Sequence, residues 1–155
     1  MPELWLSGVA GGVIVFVLTT INSVVVRTRQ RGRELRGLSR VMRPEMQRNS
    51  ETIGVLKVAG FDRATYLNDP PTRDAWLDTR VRLSELMQED DFANLARFYA
   101  ALELLDTAVT REDPLLAEAH LAEAAEHEDS AMQVVEGYCN AWWWPFKGHR
   151  PQGRP

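Results

Sequence analysis

A stretch of 23 uncharged residues, Leu4–Val26, constrains this chain more than any other part of its sequence. About 20 predominantly apolar residues are enough for a helix to cross a hydrocarbon core of roughly 30 Å. At about 1.5 Å per residue the stretch would form a helix of roughly 35 Å, which is long enough to span with a modest tilt. The sequence therefore predicts a transmembrane anchor over residues 1–26.

Two other interpretations of this stretch are a buried core helix and a cleaved signal peptide. Core helices rarely run this far without a charge. A signal peptide carries basic residues before its apolar run and small residues at the cleavage site. Here only Glu3 contributes a side-chain charge before the run, and no Ala-x-Ala-like site follows it. A retained anchor is therefore the prediction.

Arginines follow the anchor at once and predict its orientation. Basic flanking residues stay on the cytoplasmic side of a membrane. We therefore expect a single-pass protein with its N-terminus outside and its C-terminal body in the cytoplasm. The single cysteine, Cys139, agrees with this, since a secreted domain more often carries paired cysteines.

The formal net charge of −4 conceals an acidic segment that lies between two basic ones. Residues 27–48 carry eight Arg against two Glu, a net charge of +6. Residues 49–140 carry seven basic and nineteen acidic residues, a net charge of −12, and the remaining tail carries +3. Basic residues beside a membrane gain about 1 kcal/mol each from anionic headgroups, whereas an acidic body is repelled by lipid and by nucleic acid. We therefore expect a membrane partner and no nucleic acid. The predicted lipid-binding residues are Arg27, Arg29, Arg31, Arg33, Arg36 and Arg40.

Small residues spaced four apart inside the anchor indicate a helix–helix contact. The pairs Ser7/Gly11 and Gly8/Gly12 place a flat strip on one helix face, which lets two backbones approach closely. A homo-oligomer or a partner helix is one interpretation of this strip. The other is that glycine is simply common in membrane helices.

The rest of the chain shows helical periodicity and no strand-like alternation, which predicts an all-α body. We expect a basic juxtamembrane helix over residues 27–43, an antiparallel bundle of about four helices over 44–144, and a flexible basic tail over 145–155. Pro44 is expected to break the helix and start the next one.

Two Asp-Pro pairs, Asp69-Pro70 and Asp113-Pro114, mark further helix stops and starts. Asp90 and Asp91 are expected to cap the helix that follows them and to place negative charge at its positive end.

Three motifs follow the anchor and its arginine flank: Trp76-x-x-x-Arg80-x-x-Leu83, Asp90-Asp91-Phe92 and Phe98-Tyr99-x-x-Leu102-Glu103. In this arrangement the chain resembles, over residues 45–110, an uncharacterised bacterial family of short single-pass membrane proteins with a helical cytoplasmic body. The resemblance implies a protein of the bacterial inner membrane. It implies no catalytic residue.

One cluster combines side chains that bind metals. His120, Glu123 and His127 share a helix face at spacings of three and four residues. The spacing matches neither Glu-x-x-His nor His-Glu-x-x-His, so a solvated acidic face is the prediction. A metal-binding or enzymatic bundle using this face is the alternative.

The sequence contains no Gly-rich phosphate loop and no recognisable nucleophile motif, and it predicts neither catalytic residues nor a cofactor. We therefore expect the bundle to be an interaction, scaffold or regulatory module with an unidentified protein partner, and not an enzyme.

The run Trp142-Trp143-Trp144-Pro145-Phe146-Lys147 places four aromatic rings beside a cation. Tryptophan favours the membrane interface because its ring is apolar and its N–H is polar. Three interpretations are that this end touches the inner leaflet, closes the base of the bundle, or docks a partner.

Arg80 gives the most specific side-chain prediction. At 100° per residue it shares an arc with Trp76 and Leu83, so it is expected to point into the bundle. A buried guanidinium needs a partner, and we predict a structural ion pair with Glu103, with Tyr99 packed alongside. The alternative is that Arg80 reaches the surface along its aliphatic stem.

Overall fold

The computed structural model describes the backbone from Glu3 to Asn140 and the side chains from Thr19 to Asn140. Within this range the chain is helical and contains no strand, so the predicted all-α class is confirmed. The helices are α1 (Glu3–Ala59), α2 (Arg63–Asn68), α3 (Asp74–Leu86), α4 (Glu89–Thr110) and α5 (Pro114–Asn140). A compact helical bundle begins at Leu35, inside α1, and contains the four later helices.

The predicted break at Pro44 is wrong, because α1 continues through it. Proline lacks the N–H that would bond to the carbonyl of the previous turn, and its ring crowds that turn, at a cost of about 3 kcal/mol. Burial on the other face of the helix offsets this cost. Met42 and Met46 flank the proline and are both 0% exposed. Tertiary packing thus decides the conformation here, against the local preference.

The buried positions of α1 from Leu35 onward form one continuous stripe that lines the core. They alternate at four and three residues, which is the seven-residue repeat of helices packed side by side. The repeat consists of Leu35, Ser39, Met42, Met46, Asn49, Ile53 and Leu56. Most of its members are apolar and supply the hydrophobic burial that stabilises the bundle.

Helices α4 and α5 form an antiparallel hairpin with a small-residue contact. Buried alanines recur every seven residues, at Ala101 and Ala108 on α4 and at Ala117, Ala124 and Ala131 on α5. Small side chains allow two helices to lie at the short end of the usual 8–10 Å range of interaxial distances. The helix start predicted at Asp113-Pro114 is confirmed, because α5 begins at Pro114.

The ends of the helices follow the turn residues of the sequence, with one exception. Gly60 ends α1 in the left-handed region, with φ of 74°. The side chain of Asp62 caps α2 by accepting from the backbone N–H of Thr65 at 2.9 Å. The predicted caps Asp90 and Asp91 instead lie within the first turn of α4, whose cap residue makes no side-chain bond. They still place negative charge at the positive helix end.

Within the described part of the chain, no helix offers a stretch that is both long and apolar enough to cross a membrane. The side chains of residues 3–18, which make up most of the predicted span Leu4–Val26, lie outside that part.

Candidate functional site

A buried carboxylate on α1 caps the N-terminus of α3. The oxygens of Glu45 accept hydrogen bonds from the backbone N–H groups of Ala75, at 2.7 Å, and of Trp76, at 3.2 Å. The first N–H groups of a helix lack an intrahelical partner and carry partial positive charge, so an anion is stabilised there. The cap residue of α3 itself, Arg73, makes no side-chain bond to the helix. The cap therefore comes from a different helix.

Aromatic rings enclose this carboxylate. Tyr99 donates its hydroxyl hydrogen to Glu45 at 2.8 Å, and its ring stacks on Trp76 with a centroid distance of 4.7 Å and an interplanar angle of 1°. Phe92 stacks on Trp76 at 5.6 Å. Burial, and then the neighbouring charge of Glu45, raise the pKa of the Tyr99 hydroxyl well above its ordinary value. The hydroxyl therefore remains a hydrogen-bond donor.

Asn49, one turn after Glu45 on α1, binds the loop that leads into α3. Its amide nitrogen donates to the Thr72 carbonyl at 2.8 Å, and its oxygen accepts from the Thr72 N–H at 2.8 Å. Asn49 is 0% exposed, so these two bonds satisfy polar groups that water does not reach. Beside it, Arg48 pairs with Asp69 at the start of the same loop.

Arg73, and not Arg80, meets the acidic residues of α4. Its guanidinium lies 3.3 Å from the Asp106 carboxylate and 3.5 Å from that of Glu103. Arg80 is exposed, and among the described residues no ion pair joins it to Glu103. The predicted ion pair of Arg80 with Glu103 is therefore wrong.

The rotation of α3 explains this error. Thr79 faces the core with 6% exposure, and its hydroxyl lies 3.3 Å from the sulfur of Met42 on α1. Because α1 packs against this side, the buried face of α3 is centred on Trp76, Thr79 and Leu83. Arg80 is thereby turned to solvent. The pattern of α3 and α4 alone does not reveal the contact with α1, and Tyr99 lies level with Trp76 instead of Arg80.

The predicted lipid-binding arginines all lie on α1. Five are exposed and Arg36 is half-buried; the exposed ones are Arg27, Arg29, Arg31, Arg33 and Arg40. Arg43 is also exposed, and its guanidinium lies 3.8 Å from the Glu136 carboxylate on α5. From Leu35 onward, α1 therefore lines the core on one face and presents basic groups to solvent on another.

Two predicted features lie outside the described side chains. The association face of Ser7, Gly8, Gly11 and Gly12 is one, although its backbone belongs to α1. The aromatic run from Trp142 to Trp144 is the other.

No family model, curated protein or solved structure matches the chain. Function is therefore inferred from the residues themselves.

The cluster of His120, Glu123 and His127 lies on α5, where His120 Nδ1 is 3.1 Å from the Glu123 carboxylate. Among the described residues no group of three His, Cys, Asp or Glu side chains is arranged to hold a metal ion. The neighbouring Glu128 instead accepts a hydrogen bond from Ser50 on α1. Part of this acidic face thus attaches α5 to α1.

A shallow pocket of about 180 Å³ lies where α2 meets the α4–α5 turn. Sites for small molecules usually enclose about 300–1,000 Å³, so this pocket is small for such a ligand. It is lined by Phe61, Arg63, Val109, Glu112, Asp113 and Pro114.

Glu45 and Asn49 are the polar residues that sequence analysis missed. A signal for Asn49 was present, since it occupies one position of the seven-residue repeat from Leu35 to Leu56. A helix break expected at Pro44 divides this repeat in two and conceals it. No comparable signal exists for Glu45, whose partners Ala75 and Tyr99 lie 30 and 54 residues away.

Proposed function

We propose that the chain is a single-pass protein of the bacterial inner membrane whose acidic cytoplasmic bundle serves as an interaction, scaffold or regulatory module. The observation that carries this proposal is the order of segments along α1. Its uncharged stretch, Leu4–Val26, is followed directly by exposed arginines. The same helix then lines the core of the bundle.

The described end of the uncharged stretch supports this interpretation. Ile21 and Val24 are apolar, yet 55% and 56% of their surface is exposed. Moving these apolar side chains from water into the lipid tails of a bilayer is favourable, because it removes apolar surface from water. The arginines that follow would lie among anionic headgroups.

The polar core supports a binding role over catalysis. Glu45, Asn49 and Tyr99 direct their polar atoms at backbone groups or at each other. These bonds position helices, and residues 49–140 carry a net charge of −12. We therefore propose that the bundle recognises a basic surface on a membrane-associated protein.

Membrane extraction and topology reporters test this proposal. The full-length chain, expressed in bacteria, should stay with the membrane fraction after alkaline carbonate washing. Replacing Val13 and Ile14 with Arg should release it, whereas replacing both with Leu should not. Green fluorescent protein fused after Pro155 should fluoresce, and alkaline phosphatase at the same position should be inactive. Release of the unaltered chain by carbonate, or active phosphatase, would refute the proposal.

Metal analysis of the purified full-length chain addresses the alternative function. Stoichiometric zinc, iron or manganese that is lost in the variant His120→Ala/His127→Ala would favour a metal-binding bundle. The proposed module predicts less than one tenth of an equivalent in both proteins.

A further inference from the structure

The pocket between α2 and the α4–α5 turn has apolar walls that the bundle itself holds in place. The side chain of Val109 is 4% exposed, and the Phe61 ring contacts the ring of the buried Tyr66, at a centroid distance of 6.4 Å. Pro114, whose ring fixes the backbone at the start of α5, forms another part of the wall. The pocket is therefore already formed in the free chain, as binding pockets usually are.

The volume of this pocket suits a single apolar side chain. It encloses about 180 Å³, and an apolar cavity of about 150 Å³ is large enough to bind benzene. A leucine, methionine or phenylalanine side chain of a partner would fill the pocket and remove apolar surface from water, which is favourable. Protein interfaces commonly use such a side chain as their anchor, with polar groups around it.

The charged residues that line the pocket are exposed and carry more negative than positive charge. They are Arg63, Glu112 and Asp113. The guanidinium of Arg63 lies 2.8 Å from the Glu112 carboxylate. The carboxylate of Asp113 accepts a hydrogen bond from the N–H of Leu116 at 3.0 Å and so caps α5. Two carboxylates against one guanidinium favour a cation as the neighbour of the apolar side chain.

Glu112 is the carboxylate that the fold needs least. Its φ of 58° lies in the left-handed region, where a side chain is strained and where glycine is the usual residue after a helix. Its ion pair with Arg63 adds little stability, because the two side chains are 69% and 48% exposed and water screens their charges. The carboxylate of Glu112 is therefore accessible to a cation from outside the bundle.

We propose that this pocket binds one apolar side chain, no larger than phenylalanine, of a partner protein, and that a lysine or arginine beside that side chain contacts Glu112. This inference rests on the proposed recognition of a basic surface. It names the point on the bundle at which that surface is anchored.

Methyl NMR of the full-length chain in an uncharged detergent, with isotope-labelled valine, tests this contact. The probes are the peptides acetyl-Arg-Phe-Arg-amide and acetyl-Arg-Ala-Arg-amide, which carry the same charge and differ only in the central side chain. The methyl groups of Val109 report on the pocket, and their signals are assigned by their absence in Val109→Ile. The control signals are those of Val135, which is 1% exposed and lies further along α5.

We expect the phenylalanine peptide to shift the Val109 signals with an affinity at least about tenfold higher than that of the alanine peptide, because its ring is buried. The Val135 signals should not move. Glu112→Gly suits the left-handed backbone, so its thermal midpoint should stay the same or rise, while its affinity for the phenylalanine peptide should fall about two- to fivefold. Glu126→Gln, at an exposed position of α5, also removes one negative charge and should leave the affinity unchanged.

Equal affinities for the two peptides, or binding that Glu112→Gly does not weaken, would refute the pocket contact. If the peptides shift valine signals elsewhere in the bundle but not those of Val109, the pocket contact is refuted and the recognition of basic segments stands. If neither peptide shifts any valine signal, the recognition of a basic surface fails together with the pocket contact.

Discussion

Tyr99 on α4 donates a hydrogen bond to Glu45 on α1 across 2.8 Å, and the same carboxylate binds the first amides of α3. Three helices thus meet at one buried anion. Hydrogen bonds to charged groups contribute about 1.5–3 kcal/mol each, and leaving a buried partner unsatisfied costs about 1–3 kcal/mol. Removal of Glu45 should therefore disturb the packing of α3 more than removal of any other polar residue.

Replacing Glu45 with Ala should lower the free energy of unfolding by about 2–4 kcal/mol, because α3 loses its cap and Tyr99 loses its acceptor. Glu45→Gln should lose less, since its remaining oxygen still accepts a bond. Denaturant unfolding of the full-length chain in detergent, followed by circular dichroism, measures both. The matched control is Glu51→Ala, which lies on an exposed position of the same helix and should change stability by less than about 0.5 kcal/mol. If Glu45→Ala and Glu51→Ala lower the free energy of unfolding equally, Glu45 does not stabilise the bundle as a cap of α3.

Alkaline pH should destabilise the bundle through two tyrosines. Burial, and then the nearby Asp106 and Glu45 carboxylates respectively, raise the pKa values of Tyr66 and Tyr99 above the ordinary 10.0. The folded chain therefore keeps protons that the unfolded chain releases, so this stability is fully present below pH 10 and is lost as pH rises beyond it. Each tyrosine contributes a slope of up to about 1.4 kcal/mol per pH unit.

Unfolding free energies between pH 9 and pH 12 should show this decline, and absorbance at 295 nm should report tyrosinate mainly as the chain unfolds. The variant Tyr99→Phe should retain only the slope that Tyr66 contributes. An early rise of tyrosinate from all three tyrosines, with the helices still intact, would refute the burial of these hydroxyls.

Asn49→Ala should lower the free energy of unfolding by about 2–3 kcal/mol, because it removes both bonds to Thr72 and leaves that loop residue unsatisfied. Asn49→Asp should be at least as damaging at pH 7, since a carboxylate would face the Thr72 carbonyl, and it should recover partly as pH is lowered. Asn68→Ala, at an exposed position at the end of α2, serves as the control. If both alanine variants melt alike, the loop contact is not stabilising.

Arg73 and Arg80 provide a matched pair of arginines on one side of the bundle. Arg73→Met should cost about 1 kcal/mol, because Arg73 has 26% side-chain exposure and pairs with two carboxylates. Arg80→Met should cost less than about 0.5 kcal/mol. Thermal melts of both variants measure these losses, and melts of Asp106→Asn alone and combined with Arg73→Met test the ion pair. Strictly additive losses in the double variant would show that Arg73 and Asp106 do not interact.

Replacement by alanine should change the stability in opposite directions at two glycines, one inside α1 and one directly after its end. Gly54 lies inside the helix with open space around a Cβ, so Gly54→Ala should raise stability by up to about 1 kcal/mol. Gly60 has φ of 74°, so Gly60→Ala should lower stability by about 1 kcal/mol. Denaturant midpoints of the two variants should therefore move in opposite directions, and a shared direction would refute the assigned helix end.

Local sequence signals predicted the features that depend on neighbouring residues. Pro114 begins α5, and Asp90 and Asp91 lie in the first turn of α4, where negative charge was expected. The continuation of α1 through Pro44 was not predicted, because buried contacts from other helices keep α1 intact against the local preference of proline. The exposure of Arg80 was not predicted either, since α1 sets the rotation of α3 through Thr79 and Met42.

The candidate functional features divide in the same way. The positions of the arginines on one helix followed from their spacing. The cap by Glu45 could not be predicted from the sequence, because no local pattern shows which helix end a carboxylate will contact.

The attachment of α5 to α1 has a consequence for how this protein is made. Ser50 on α1 and its partner Glu128 on α5 are 78 residues apart. At a synthesis rate of roughly 5–20 residues per second, the ribosome needs about 4 to 16 seconds to reach the second residue after making the first. During this time the apolar stripe of α1 lacks α5, and Met42, Ile53 and Leu56 are open to chaperones and to other nascent chains. Slow codons between α4 and α5 should therefore lower the yield of folded protein more than slow codons after α5.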